Sequence, residues 1–217
     1  MRPILIYATL GFILLNFKSI AVPIGWFEVF FHEIAHGLAS IVTGGRILTL
    51  ELNLNGSGSL THSGSHFVAF VSFAGYAGAS LWGLITYSVF SRQNKPSRNW
   101  VLALGVFVLI STLLWARDWE TLVVSLLIIT ILGGLYWLDS QRLNFHVMGL
   151  LGACLMVSSS QSAWGLLSVE GRGDAGALAS ALFLPAFVWV LVWIAFSLAC
   201  LVWIYRNESK RDQRFRF

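Results

Sequence analysis

The sequence predicts an all-α polytopic membrane protein of about seven transmembrane helices, six to eight being allowed, with a short β-hairpin or strand pair around residues 46–62. Three observations predict it. Of 217 residues, 57% are hydrophobic and only 11% are charged, whereas soluble domains carry about 25% charge. Apolar runs of spanning length recur along the chain, and one segment breaks their pattern with a period of two. With a mean hydropathy of +0.75, there is too little charge to clothe a water-facing surface. A soluble domain, a disordered chain and a disulfide scaffold are therefore excluded.

The runs are 3–22, 26–42, 66–90, 100–115, 119–138, 145–166 and 175–205, each judged against the roughly 20 apolar residues that cross a bilayer. Pro185 lies inside the last and predicts a tilt or kink. Trp26, Trp100, Trp115, Trp119, Trp137, Trp164 and Trp203 fall near run ends, as an interfacial aromatic belt requires. The first run ends near Ser19-Ile20-Ala21, which looks like a cleavage site, but Lys18 and the next run favour an uncleaved helix. Together they read as one integral membrane domain over 1–217, with a basic tail at 206–217.

Charge sets the orientation. Arg92, Lys95 and Arg98 share a loop without an acidic residue, and Arg206, Lys210, Arg211, Arg214 and Arg216 crowd the tail. Both mark the cytoplasmic side, so the C-terminus is cytoplasmic and the tail faces lipid headgroups, not nucleic acid. Counting runs back from there puts the N-terminus outside, Arg2 argues for the inside, and its orientation stays open. Cys154 and Cys200 sit in apolar runs, match no thiolate–metal motif and are not expected to pair.

Gly44-Gly45 closes the second run, after which Leu48, Leu50, Leu52 and Leu54 alternate with polar residues. Asn55-Gly56-Ser57-Gly58-Ser59 reads as a turn, and Leu60-Thr61-His62 as the return strand. A bare strand cannot face lipid, so this segment lies at the interface or lines a wet, protein-walled cavity; an ordinary loop is the plain alternative. Its stretch 48–54 could hold an extended peptide as an added strand.

The chemistry concentrates in His32-Glu33-Ile34-Ala35-His36, inside the second run. Helical positions i and i+4 share a face, so both imidazoles can reach one metal ion. Zinc lowers the pKa of a water it binds to about 7, and Glu33 is placed to take the proton as general base. The alternatives are a buried polar network or a transporter's proton path, and metal hydrolysis outweighs them because such residues are costly within a span. A third ligand must come from elsewhere: Glu28, Glu51, Asp118, Glu120, Asp139, Glu170 or Asp174. Asp118 and Glu120 beside Arg117, and Asp139 near Arg142, read as solvated charges. Asp174 opens the last run among small residues, where ligand and helix N-cap are equally good readings. His62 and His66 read as loop histidines and His146 as interfacial. Gly75, Ala79 and Gly83 form a smooth stripe expected to pack on the His-bearing helix.

These residues resemble the M50 metallopeptidases, specifically the M50B-like branch related to site-2 proteases. The resemblance rests on HEIAHGLAS at 32–40, TGGRI at 43–47 with GSGSLTHSG at 56–64, AGYAGASLWG at 74–83 and GDAGALA at 173–179, within a core of about 24–180. It implies an intramembrane zinc metalloendopeptidase of bacterial plasma membranes, acting on membrane-protein or membrane-associated peptide substrates. His32 and His36 would bind Zn2+, Glu33 would be the base, and Asp174 matches the later aspartate that completes the site. The Asn-Pro segment ending in Asp-Gly of better-known site-2 proteases is missing, and Asp174-Ala175 stands instead. A non-hydrolytic transporter or zinc-binding sensor on the same scaffold is the alternative.

Overall fold

In a computed structural model of the chain, residues 2–90, 96–138, 140–168 and 173–214 are described. They form α1 (Pro3–Leu14), α2 (Lys18–Val42), β1 (Arg46–Leu52), β2 (Gly58–Ser63), α3 (Val68–Phe90), α4 (Pro96–Trp115), α5 (Trp119–Leu138), α6 (Gln141–Gly165), α7 (Gly173–Leu182) and α8 (Ala186–Arg214). Arg92, Lys95, Arg172, Arg216, Asp139 and Glu170 lie outside the described residues.

Five helices, α3, α4, α5, α6 and α8, are long and apolar enough to cross a membrane, and α1 with α2 makes a sixth span if the bent pair counts as one. The expected seven therefore becomes five or six. The two N-terminal runs were expected to part near Pro23, yet α2 continues through that proline, which removes one backbone bond without ending a helix held by its neighbours. The chain breaks earlier. Asn16 turns its amide back onto the Phe12 carbonyl at 2.6 Å, Phe17 is extended, and the direction changes by 116°. At the other end the kink expected at Pro185 is a full break: α7 stops at Leu182, and Phe183 has a φ of +58°. Proline also disfavours helical geometry at its predecessor, here Leu184 beside the left-handed Phe183, and α8 starts afresh at Ala186.

Helix α2 ends where Gly44, at φ +86°, lets the chain turn left-handed and Gly45 N–H reaches back to the Ser40 carbonyl at 2.8 Å. The chain then forms the antiparallel β1–β2 hairpin, pairing Leu50 with Leu60 and Leu52 with Gly58. The register shifts between Ile47 and Thr49. That bulge moves Leu48 out of the buried set and brings Ile47 in, beside Leu50 and Leu52.

The two ends of the bundle differ. At one end Arg2 bonds the Tyr205 carbonyl and lies over its ring, Tyr87 donates to Glu208 at 2.6 Å, Tyr7 meets His146 at 2.6 Å, and Arg98 lies over Tyr136. Both termini are therefore at this end, consistent with an even count of six crossings. At the other end lie the hairpin, the α4–α5 turn and the start of α7, tied by Leu52 N–H to Thr121 Oγ1 at 2.8 Å and Leu54 N–H to Glu120 at 3.1 Å.

Candidate metal centre

Three donor atoms converge between α2 and α7. His32 Nε2 and His36 Nε2 are 3.0 Å apart, and Asp174 Oδ2 is 3.2 Å from each. Helical spacing explains the first pair, whose rings meet edge to face at 4.7 Å. Asp174 stands in the first turn of α7, and its oxygen joins the ring nitrogens of α2. A tetrahedral zinc with bonds of about 2.0–2.1 Å separates its ligands by roughly 3.3 Å. The triangle is close to one face of that polyhedron, and two imidazoles with a carboxylate are a donor set that zinc accepts. Among the described residues this group can hold a metal ion.

Its surroundings fix its shape. His36 Nδ1 donates to the Val71 carbonyl at 2.7 Å, which leaves the Nε2 lone pair directed at the triangle. Gly75 of α3 lies directly behind the two rings: a Cβ there would collide with His36 Nε2 and come within 2.6 Å of His32 Cε1. Tyr76 packs edge-on against His32 with ring centroids 4.4 Å apart, and Trp193 of α8 backs Tyr76. The expected stripe on α3 is thus divided. Gly75 and Gly78 face α2, whereas Gly83 faces Gly152 and Met156 of α6. Eight residues at about 100° each rotate the last position away from the first by roughly 80°.

The triad forms one wall of a cavity of about 490 Å³, lined also by Glu28, Glu33, Gly58, Leu60, His62, Ser72 and Ser162. Glu33 is buried and packs against β2, where a Cβ on Gly58 would lie 3.4 Å from its Cγ. The hairpin therefore walls this side chain on one side. The two strand edges are not equivalent. The outer edge of β1 is taken by a bridge from Leu50 to Ala116 and by Thr121 and Glu120. The outer edge of β2 pairs with no further strand among the described residues and lines the cavity. The edge of β1, where 48–54 was expected to hold an extended peptide, is thus covered, and the outer edge of β2 is the one facing the cavity.

The model of the family described as Peptidase M50B-like matches residues 4–204. The chain belongs to the M50B-like peptidase family. No match is found among curated proteins or among solved structures. Within this M50B-like fold, His32, Glu33, His36 and Asp174 all reach one cavity. Glu28 lines that cavity but stays outside the triad, and Glu51 bonds Ser59 on the hairpin. Asp118 and Glu120, expected as solvated charges, are half-exposed; Asp118 caps α5 through the Thr121 N–H at 2.8 Å, and Glu120 accepts Leu54 N–H of the hairpin. His62, expected in a loop, is in β2 on the cavity wall. Gly75 packs on the His-bearing helix as its small-residue stripe predicts, whereas Tyr76, Ser162 and Thr121 were missed as site-building residues because their partners lie far away in sequence.

Proposed function

We propose that this M50B-like protein is an intramembrane zinc metallopeptidase that hydrolyses peptide bonds of membrane-associated substrates. The observation that carries the reading is the triangle of His32, His36 and Asp174 donors, 3.0–3.2 Å on a side, beside a buried Glu33 on a polar cavity. His32, His36 and Asp174 hold the zinc, which when bound supplies Lewis-acid polarisation of a carbonyl and acidifies water. Glu33, packed against β2, takes the proton of the attacking water and passes it to the leaving amide nitrogen. The Val71 carbonyl keeps His36 in its ligating tautomer. A locally unwound substrate pairs its backbone with the free edge of β2, which presents the scissile carbonyl to Glu33.

The basic end of the bundle is cytoplasmic in this reading, with both termini there, and the membrane is a bacterial plasma membrane. The site then lies toward the opposite face. His146 and Ser162 are both on α6, near the terminal end and in the cavity respectively, and their separation along the helix is roughly 24 Å.

The test is cleavage of a membrane-anchored reporter by purified protein with measured zinc content. Glu33→Gln is expected to keep its zinc and lose at least about 1000-fold in rate, since the base is removed and the ligands are not. Undiminished cleavage in that variant would overturn Glu33 as the base, and no cleavage by the unmodified, zinc-loaded protein would favour a non-hydrolytic role.

A further inference from the structure

Glu28 has no part in the chemistry above, yet it is 7% exposed and lines the cavity. Its carboxylate meets Ser162 Oγ at a long 3.4 Å, and among the described residues no lysine or arginine pairs with it. Charge balance makes this position informative. The wall carries three carboxylates, Glu28, Glu33 and Asp174, and no basic side chain other than histidine among the described residues. A dication held by the triad offsets two negative charges and leaves one. Asp174 touches the metal position, and Glu33 lies beside it on the same cavity wall. The group left without a cationic partner among the described residues is Glu28, and a buried carboxyl group must either hold a proton or receive a cation or strong hydrogen bonds.

Resting on the peptidase reading, we infer that Glu28 is a specificity residue whose carboxylate receives a cationic group of the substrate next to the scissile bond. That group is an ammonium or guanidinium, from a lysine or arginine side chain or from a free peptide amino terminus. The spacing suits it. Glu28 precedes His32 by one helical turn, about 6 Å along α2, a separation that one extended residue and part of its side chain span. Gly58 of β2 stands opposite: a Cβ there would lie 2.9 Å from Val29 and 3.4 Å from Glu33 Cγ, so a larger residue would narrow the space between strand and helix.

The experiment uses full-length, zinc-loaded protein with Glu33 intact, and peptides whose central peptide bond is replaced by a ketomethylene unit, so that bound peptide is not turned over. The probes are fluorescent leucine–alanine peptides with lysine, arginine or norleucine at one central position, each with a free and an acetylated amino terminus. Side-chain recognition predicts that lysine and arginine bind about 10- to 100-fold tighter than norleucine, the range of a buried charge-assisted hydrogen bond. Amino-terminal recognition predicts the same gap between free and acetylated forms. In either case, adding Glu28→Gln should abolish the gap and leave zinc content unchanged. Equal binding of all peptides, a gap that survives Glu28→Gln, or zinc loss in that variant would overturn the inference. Cleavage by the unmodified protein tests the peptidase reading separately, so the two can fail independently.

Discussion

Helices α2 and α5 are alike in being long and largely apolar, and they differ in what surrounds them. Helix α5 runs from Trp119 to Leu138 with Trp119, Leu122, Leu126 and Trp137 exposed on its outer face. It carries two glycines, Gly133 and Gly134, where an added Cβ would meet nothing within 4 Å. Helix α2 buries Glu28, His32, Glu33 and His36 along its middle and is crossed at contact distance by Gly75 of α3. One helix is shaped by the solvent it faces, the other by the partners it must reach. A lipid-facing helix needs only composition, whereas a site-bearing helix needs particular atoms on neighbouring elements.

The sharpest way to break this contrast is to remove a donor from the triad. Asp174→Ala and His36→Ala should each lower zinc affinity by more than about 100-fold, exceeding the 10- to 100-fold typical of outer-shell partners, read by zinc stoichiometry after dialysis against a weak chelator. Unchanged affinity in Asp174→Ala would reject Asp174 as a ligand. A smaller effect comes from backing rather than ligation. Gly75→Ala should force the two imidazoles apart and lower zinc affinity by about 10-fold or more, because the rigid α2–α3 contact cannot open cheaply. Zinc titration of that variant, with helicity followed in parallel, separates loss of metal from loss of fold. The smallest effect belongs to α5. Gly134→Ala should leave zinc and cleavage untouched and raise stability by at most about 1 kcal/mol, the helix-propensity difference, measured by thermal unfolding in detergent. A large loss there would show that α5 is not the passive element its surroundings imply.

The same contrast explains what could be read from the chain. The run 119–138 coincides with α5, and the runs for α3, α4 and α6 differ from the observed helices by a few residues at one or both ends. Their limits are set by where apolar composition stops. The boundary near Pro23 was misplaced because the break is made by Asn16, whose side chain competes for a backbone carbonyl, a tertiary choice with weak local signature. At the candidate site, spacing alone points to His32, Glu33 and His36, since one helix turn brings the two histidines together. Asp174 needed the family resemblance, because its 138-residue separation from His36 follows only from how α7 docks. The hairpin was legible as a hairpin, but not its orientation: Thr121 and Glu120 decide which edge is covered, and they arrive from a turn remote in sequence.

Helix α7 has ten residues and is cut from α8 by the break at Phe183 and Pro185. That length is below the roughly 12–15 residues at which an isolated helix becomes even marginal. On the proposed reading, the metal therefore acts as a staple as well as a reagent, joining α2 to a short helix near the far end of the chain. Binding and docking are then thermodynamically linked: whatever loosens α7 weakens zinc by the same factor that zinc tightens α7. The enzyme would be assembled by its own cofactor.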